Sequence, residues 1–421
     1  MTPFFKIDDR IVETSKKALE KAKKQFEKID EVTQYNQLKV LNAFIENRIS
    51  ERHFAESTGY GYGDDGRDTL DKLFAQVYGA EDALVRHSFA SGTHTLCVAL
   101  FGVLRPGDTM LCVTGLPYDT IHSVIGITGE GMGSLKDYGI KYEQVDLDEN
   151  GLLDFDAIEK AVNDNTTMVY IQRSRGYSLR PSLGVEDIEK VSKLVKSKNP
   201  NVIVMVDNCY GEFVQTSEPT SHGADLIAGS LIKNAGGGIA KTGGYIAGRK
   251  DLIEKCSYRM TTPGVGREVG ASLGHNRELY MGIFHAPHVV GEALKTAVYI
   301  AALFSEFGYD VKPKFDEKRC DIIQCLGLEN PESLVAFCQG IQSGSPIDSY
   351  VLPEPWDMPG YDSKVVMAAG AFTLGSSIEL SADAPMREPY YAWIQGGLNF
   401  HSGKICADLA AQQMLEKGLL K

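Results

Sequence analysis

The chain has 421 residues, 43% hydrophobic and 24% charged, which is the composition of an ordinary folded protein long enough for two domains. Its formal net charge of -13 and its pI near 5.3 argue against nucleic acid or an anionic membrane as the main partner, because both need a basic face. No run of about 18 apolar residues occurs and the first residues turn charged at once, so we expect neither a membrane span nor a signal peptide.

The N-terminal region predicts two helices, a charged one over residues 14–31 and an amphipathic one over 35–50. A turn rich in Gly, Tyr and Asp follows, and then a helix, 69–79, that ends at a glycine. From residue 82 onwards, strands and helices alternate. The predicted strands are 82–89, 108–115, 140–147, 166–173, 201–208, 224–231 and 242–248, and the helices between them are 92–104, 119–127, 153–162 and 184–198.

Alternating strands and helices predict an α/β fold, in which parallel strands are joined by helical crossovers. Short strands that are almost wholly apolar, such as "VIVMVD", are typical of a sheet covered on both faces. We therefore expect a large α/β domain over residues 52–289. The later pattern predicts a smaller α+β domain over 290–421, which the N-terminal segment 1–51 is expected to join.

The glycine-rich turn "GYGYGDDG" contains the spacing G-x-G-x-x-G at Gly61, Gly63 and Gly66. A dinucleotide site needs an apolar strand before this motif and a helix after it, and "ERHFAEST" is not an apolar strand. Two aspartates in the motif would also repel a phosphate. We therefore do not expect a nucleotide to bind here.

The turn "ASGTHTL" lies where a predicted strand ends and a helix begins. N–H groups at the start of a helix, together with the hydroxyls of Ser91 and Thr93, favour an anion site, and Gly92 allows a close approach. A plain N-cap by Ser91 explains the same residues equally well.

Two further charged side chains follow predicted strands. Asp207 ends the strand 201–208 and either meets a cationic group of a ligand or forms a simple turn. Lys233 directly follows the apolar run 224–232, where burial is expected to lower its pKa and provide a free amine, although most lysines are solvated surface charges. Lys241, in the turn beyond "NAGGGIA", is expected to be a solvated residue or a supporting charge.

An amine, a carboxylate and an anion site at one edge of a sheet fit pyridoxal 5'-phosphate. Lys233 would bind the aldehyde, Asp207 would pair with the ring nitrogen, and the turn at Ser91 would take the phosphate. Tyr118, after the next predicted strand, would cover the ring. The eight scattered cysteines lack a C-x-x-C pair and indicate reduced thiols of a cytoplasmic protein, and we expect no metal site.

At these motifs the chain resembles the fold-type-I pyridoxal-phosphate enzymes, closest to the methionine gamma-lyase-like or aluminium-resistance family of the Cys/Met-metabolism branch. "ASGTHTL" resembles the phosphate turn of that branch, and "VDNCYGEFVQ" resembles its strand "V-D-N-T-F". "GADLIAGSLIKNAGGGIAKTGG" resembles its lysine segment. The resemblance implies that Lys233 binds the cofactor, that Asp207 is its ring-nitrogen partner, that Ser230 donates to its phosphate and that Tyr118 stacks on its ring.

Several positions depart from the family pattern. Ile232 replaces the usual threonine before the lysine, and "Y-G-D" at Tyr62 replaces the "Y-S-R" by which a neighbouring subunit reaches the phosphate. Arg67 or another basic residue would have to substitute for that arginine. Arg175 is a candidate for contact with cofactor or substrate, and Arg387 is a candidate for the substrate carboxylate, unless it is a surface arginine.

The resemblance implies a carbon–sulfur lyase that eliminates a thiol from methionine, cystathionine or cysteine and yields a 2-oxo acid and ammonia. Lys233 would move the proton of Cα, and Tyr118 would assist the leaving group. A homodimer or homotetramer with shared active sites is expected. The alternatives are another pyridoxal-phosphate enzyme, such as an aminotransferase or aldolase, or a non-catalytic protein that binds the cofactor and has an indirect role in metal tolerance.

Overall fold

The structure of the chain is a computed structural model that describes residues 3–357 and 363–421. It divides into two compact units, Tyr35–His285, here called the large unit, and Met1–Gln34 with Ala286–Lys421, the small unit. Both points of division lie within long helices, α1 (Asp9–Glu46) and α8 (Asn276–Glu306). The domain borders predicted after residues 51 and 289 stay predictions.

The N-terminal region forms one helix, α1, where the sequence predicted two. The prediction separated them between residues 31 and 35, but no glycine or proline occurs anywhere from residue 9 to residue 46. Nothing in that stretch therefore ends the helix, and the change in its apolar pattern reflects a change in what the helix packs against rather than a break.

The large unit contains a sheet of seven strands in the order β1-β7-β6-β5-β4-β2-β3. Strand β7 runs antiparallel to both neighbours, and the other pairs are parallel. The predicted, mostly parallel sheet is therefore confirmed. Its strands are β1 (Asp82–Arg86), β2 (Thr109–Cys112), β3 (Lys141–Gln144), β4 (Thr166–Gln172), β5 (Ile203–Asp207), β6 (Leu226–Ser230) and β7 (Gly244–Gly248).

Six helices belong to the large unit in addition to the parts of α1 and α8 within it. They are α2 (Asp65–Tyr78), α3 (Gly92–Val103), α4 (Asp119–Ile125), α5 (Phe155–Ala161), α6 (Val185–Lys198) and α7 (Lys250–Met260). Helix α7 was not among the predicted elements. One core cluster joins α3, α4 and α7 to the face of the sheet that carries Met168, Tyr170 and Met205. Burial of these apolar side chains fixes the positions of the strand ends that carry the candidate site.

The small unit contains a five-stranded antiparallel sheet in the order β10-β11-β12-β9-β8. The strands are β8 (Asp310–Lys312), β9 (Gln324–Gly327), β10 (Val365–Ala368), β11 (Ser381–Pro385) and β12 (Tyr391–Gln395), and the helices are α9 (Pro331–Ser343) and α10 (Phe400–Glu416). Side chains of both helices and of the sheet form one core cluster with α8. Within residues 3–357 and 363–421, no helix is both long enough and apolar enough to cross a membrane.

Candidate functional site

The carboxyl ends of β5 and β6 lie side by side in the sheet, because the two strands are parallel neighbours. Asp207 is the last residue of β5 and pairs with Ala228 of β6. Lys233 follows the end of β6 by three residues and lies at the start of a short 3-10 helix, Asn234–Gly236. The sheet therefore brings Asp207 and Lys233 to one edge, where open α/β sheets bind ligands.

Lys233 is half-buried, and its Nζ lies 4.0 Å from the centre of the Tyr210 ring. Burial alone lowers the pKa of this amine, but the neighbouring Cys209, Tyr210, Asp207 and Tyr118 act in the opposite direction and raise that pKa well above its usual range. The lowered pKa predicted from burial is therefore wrong for the ligand-free site. The direction of this pKa shift is set by side chains that lie far from Lys233 in the sequence, at the end of β5 and before α4.

Asp207 is buried, and the N–H of Cys209 donates to its Oδ1 at 3.1 Å. Burial raises the pKa of the Asp207 carboxyl, while the positive charge of Lys233 and the hydrogen bond from Cys209 lower it in part. A buried carboxyl of this kind is stabilised in its charged form by a cationic partner. The surroundings of Asp207 are thus suited to a protonated ring nitrogen.

The predicted anion turn opens α3. Ser91 caps this helix, since its Oγ accepts a hydrogen bond from the N–H of His94 at 3.0 Å, so the N-cap alternative describes the structure correctly. The cap does not exclude anion binding, because the first N–H groups of a helix have no partner within the helix. The hydroxyl of Thr93 lies 2.7 Å from that of Thr120, at the start of α4.

Gly92 connects this turn to β6. A Cβ atom added at Gly92 would lie 3.2 Å from Cβ of Ser230, which is tighter than ordinary contact. Ser230 is itself buried. The hydroxyl of Ser230 and the start of α3 therefore border the same small space, and the absence of a side chain at Gly92 keeps it open.

Tyr118 precedes α4 and is half-buried. Its ring centre lies 5.8 Å from that of Tyr177, and a Cβ at Gly176 would lie 3.3 Å from the Tyr118 ring. The loop after β4 thus packs against Tyr118 through Gly176, and the buried Arg175 directly precedes that glycine in the same loop. Arg175 accordingly stays a candidate for contact with cofactor or substrate.

Tyr62 lies in the exposed turn before α2, where its ring stacks on Tyr60 with 5.5 Å between centres. Arg67, which we considered as a replacement for the missing arginine, is buried and donates to the carbonyl oxygens of Gly61 at 2.8 Å and Gly270 at 2.9 Å. The guanidinium of Arg67 therefore holds the turn that presents Tyr62. Asp64, in the same turn, caps α2 through the N–H of Arg67.

Arg387 and Lys241 are the remaining residues that the sequence analysis considered. Arg387 belongs to the small unit, in the exposed turn between β11 and β12, and its role stays a prediction. Lys241 is 73% exposed and forms an ion pair with Glu278 at 3.2 Å. Lys241 is thus the solvated lysine of the glycine-rich segment, as predicted.

The sequence analysis missed Tyr210 and Glu212, which follow Asp207 closely. Tyr210 has φ of +71°, a conformation that aromatic residues seldom adopt. Glu212 is fully buried, and its Oε1 accepts a hydrogen bond from Tyr245 at 2.8 Å. The signal for Glu212 in the sequence is a carboxylate within the otherwise mostly apolar stretch "CYGEFV", since such residues are seldom buried without a partner.

The donor set fits pyridoxal 5'-phosphate. An amine and a buried carboxyl share one sheet edge, and the space beside Gly92 has hydroxyls and helix N–H groups suited to phosphate. When bound, such a cofactor withdraws electrons from the Cα of an amino acid. Within the described residues, no group of three or more His, Cys, Asp or Glu side chains is arranged to hold a metal ion.

Comparison with known proteins gives three results for the whole chain. The sequence profile described as methionine gamma-lyase matches residues 11–415. The uncharacterized protein YnbB of Bacillus subtilis (strain 168) is 51% identical over 393 residues, which are 93% of this chain and 93% of YnbB. A carbon–sulfur lyase involved in aluminum resistance from Clostridium novyi NT is 54% identical, with a TM-score of 0.94 over 97% of this chain and 96% of that one.

A solved structure with low sequence identity has the same fold. The pyridoxal-5'-phosphate-dependent protein YhfS of Escherichia coli is 14% identical, with a TM-score of 0.62 over 92% of this chain and 97% of YhfS. This likeness confirms the predicted fold class, a large α/β unit and a smaller α+β unit of the fold-type-I arrangement.

Proposed function

The chain belongs to the methionine gamma-lyase family, as its motifs predicted, and on this premise we propose that it is a pyridoxal-phosphate-dependent carbon–sulfur lyase. Its substrate is a sulfur amino acid, which it converts to a thiol, a 2-oxo acid and ammonia. The observation that carries this proposal is the juxtaposition of Lys233 and Asp207 at the ends of parallel neighbouring strands. A carbon–sulfur lyase with the same fold and 54% identity supports the reaction type.

The bound cofactor supplies the electron-withdrawing ring that makes the Cα proton of the substrate acidic. Lys233 holds the cofactor before the reaction and then takes the Cα proton on Nζ. Asp207 would keep the ring nitrogen protonated, because its buried carboxylate is stabilised by a positive partner. The phosphate would be held by Ser91, Gly92, Thr93 and Ser230.

Tyr118 would cover one face of the cofactor ring and would donate a proton to the departing sulfur. Arg175 belongs to the loop that packs against Tyr118, and its planar guanidinium would bind the substrate carboxylate through two hydrogen bonds. Arg387 is the second candidate for that carboxylate. Kinetics with Arg175→Lys and Arg387→Lys separate the two, since the residue that binds the carboxylate raises KM when replaced.

The functional protein is a cytoplasmic homodimer or homotetramer in which Tyr62 of one subunit contributes to the phosphate site of its neighbour. The exposure of Tyr62 and Tyr60 supports this arrangement, because two stacked aromatic rings on a tightly held turn are unusual unless a partner covers them. The similar lyase of Clostridium novyi NT is involved in aluminum resistance. Any such role of this chain is indirect, through its reaction and not through binding of the metal.

Cofactor attachment is tested with Lys233→Ala and the matched control Lys241→Ala. The purified Lys233→Ala protein should lack the yellow absorbance of the covalently bound cofactor, and the Lys241→Ala protein should keep it. Reduction with borohydride followed by peptide mass spectrometry should place the cofactor on Lys233. A cofactor attached to Lys241 would contradict the assignment.

The reaction is tested by incubating the yellow protein separately with methionine, cystathionine and cysteine. Ammonia, thiol and 2-oxo acid should be released together in equal amounts. An aminotransferase would instead need an oxo-acid acceptor and release no ammonia. Cofactor binding without turnover of any amino acid would favour the non-catalytic alternative.

A further inference from the structure

Tyr210 has a strained backbone at the edge of the candidate site. It lies three residues after Asp207, and its φ of +71° is in the left-handed region that non-glycine residues rarely occupy. Such conformations persist only where the surrounding structure fixes them, and they cluster at functional sites. The proposed function assigns no role to Tyr210.

A buried polar network fixes the turn that carries Tyr210. The amide of Asn208 accepts a hydrogen bond from Arg173 at 2.8 Å and donates to Glu218 at 3.1 Å and to Tyr245 at 3.2 Å. The N–H of Gly211 also donates to the carbonyl oxygen of Asn208 at 3.0 Å. All of these side chains are buried, so the turn is held on both sides of Tyr210.

The same turn directs the Tyr210 ring to Lys233. The 4.0 Å from Nζ to the ring centre is well within the range of about 6 Å for cation–π attraction. That attraction stabilises the ammonium form of the lysine but not the neutral amine. The other groups that face this amine are Asp207, Cys209, Tyr118 and Glu212.

We propose that Tyr210 is a positioning residue for Lys233, whose ring face holds the free amine in place and stabilises it when protonated. The proposal rests on the assignment of Lys233 as the cofactor lysine. During the reaction the substrate Cα–H bond breaks, a new N–H bond forms on Nζ, and the electron pair stays with the substrate. The Tyr210 ring stabilises the ammonium group that results.

The test uses cofactor-free protein, so that its readout does not depend on activity. Reductive methylation of Lys233 is followed by peptide mass spectrometry at a series of pH values, which gives the pKa of the amine. The variants are Tyr210→Phe, which keeps the ring, and Tyr210→Leu and Tyr210→Asn, which lose it. Asparagine tolerates positive φ, so this variant keeps the fold if leucine does not.

We expect Tyr210→Leu and Tyr210→Asn to lower the pKa of Lys233, which makes methylation at a fixed pH about three- to thirty-fold faster. Tyr210→Phe should stay close to the wild type. The control Tyr138→Leu removes an exposed tyrosine of the same unit and should change nothing. In the cofactor-loaded protein, the variants that lose the ring should lower kcat more than they change KM.

An unchanged pKa of Lys233 in a folded Tyr210→Asn protein overturns the proposal, and so does a Tyr210→Phe protein that behaves like Tyr210→Asn, because the hydroxyl would then be responsible. Either result leaves the proposed function intact if borohydride still fixes the cofactor to Lys233. Fixation elsewhere would refute the lysine assignment and, with it, this inference.

Discussion

Glu212 is a buried carboxyl group whose two oxygens differ in their surroundings. Tyr245 donates to Oε1, and within the described part of the chain Oε2 is buried without a hydrogen-bond partner. Burial raises the pKa of Glu212 to about 8, which the neighbouring Glu218 reinforces and the charge of Lys233 opposes. Glu212 is therefore protonated at neutral pH in the ligand-free protein.

This proton makes the stability of the protein depend on pH. Unfolding returns the pKa of Glu212 to about 4.3, so between that value and about 8 only the folded state keeps the proton. The free energy of unfolding therefore falls as the pH rises through this range. The glutamine of Glu212→Gln has no group that titrates in this range. As the pH rises from about 5 to about 9, we therefore expect its free energy of unfolding to increase by about 2–5 kcal/mol relative to that of the wild type.

Urea unfolding at both pH values measures this difference. Glu143→Gln, at an exposed position of β3, is the matched control and should follow the wild type. A constant difference between Glu212→Gln and the wild type at both pH values would show that Glu212 is ionised throughout.

Ser91 has two roles at the start of α3. As the N-cap it satisfies the N–H of His94, and replacement by alanine should lower the stability by about 1 kcal/mol. Its hydroxyl also faces the proposed phosphate, so Ser91→Ala should weaken cofactor binding by about ten-fold. Absorbance titration of cofactor-free protein measures the affinity, with the exposed Ser88→Ala as control. If Ser91→Ala and Ser88→Ala bound the cofactor with equal affinity, Ser91 would act only as the N-cap of α3.

Part of this residue-scale detail could be predicted from the sequence. Asp207 and Lys233 each end an apolar run, so the strand pattern alone places them at one sheet edge. The direction of the pKa shift of Lys233 could not be predicted, because it depends on side chains from other segments. Tyr210 was missed for a related reason, since neither its positive φ nor its contact with Lys233 is visible in a tyrosine within a turn.

At the scale of elements, the loops after β4 and β5 are joined by a buried ion pair. Nη1 of Arg173 lies 3.2 Å from Oε2 of Glu218, and both side chains are almost completely buried. Arg173 also donates to Asn208, which lies next to Asp207. This pair therefore holds in register the two loops that carry Arg175 and Tyr210.

Arg173→Met should destabilise the protein by about 3–5 kcal/mol, because it leaves the Glu218 carboxylate buried without its cation. The double variant Arg173→Met/Glu218→Gln should recover more than 1 kcal/mol of this loss, since no uncompensated charge remains. Chemical denaturation of the wild type, both single variants and the double variant gives the coupling energy. Additive effects would mean that the pair is not coupled.

Arg249→Met is the matched control for the comparison of the Arg173 and Glu218 variants. Arg249 pairs with Asp251 at 2.9 Å, but it is 41% exposed, so water already screens the interaction. Its replacement should cost no more than about 1 kcal/mol.

The elements themselves were predicted unevenly. Apolar periodicity located every strand of the large sheet. Six of the seven are short, mostly buried runs between turn residues, whereas the edge strand β3 is mostly exposed. The periodicity could not show that β7 runs antiparallel to both neighbours, since an apolar strand has the same pattern in either direction. The division of α1 into two helices was wrong for a comparable reason, because a shifted apolar stripe was taken as a break.

At the scale of the whole molecule, the exposed ring of Tyr62 leads to the prediction that a complete active site needs two chains. The turn that carries Tyr62 is held in place, because Arg67 joins its Gly61 carbonyl to that of Gly270, and yet the Tyr62 ring is exposed. The sequence could only suggest a shared site through the family resemblance, because a residue supplied by a neighbour leaves no mark in the local pattern. Complementation between inactive variants decides the matter.

Lys233→Ala and Tyr62→Ala proteins should each be inactive or severely impaired when purified alone. If Tyr62 serves the site of its neighbour, a mixed oligomer contains one site with an intact Lys233 from one chain and an intact Tyr62 from the other. After equal amounts are unfolded together and refolded as dimers, about a quarter of the sites are intact, so about a quarter of the wild-type activity should return. If both residues served the site of their own chain, every site would lack one of them and mixing would restore nothing. A control mixture of Lys233→Ala and Asp207→Ala must stay inactive, because these two residues lie on one chain at one sheet edge.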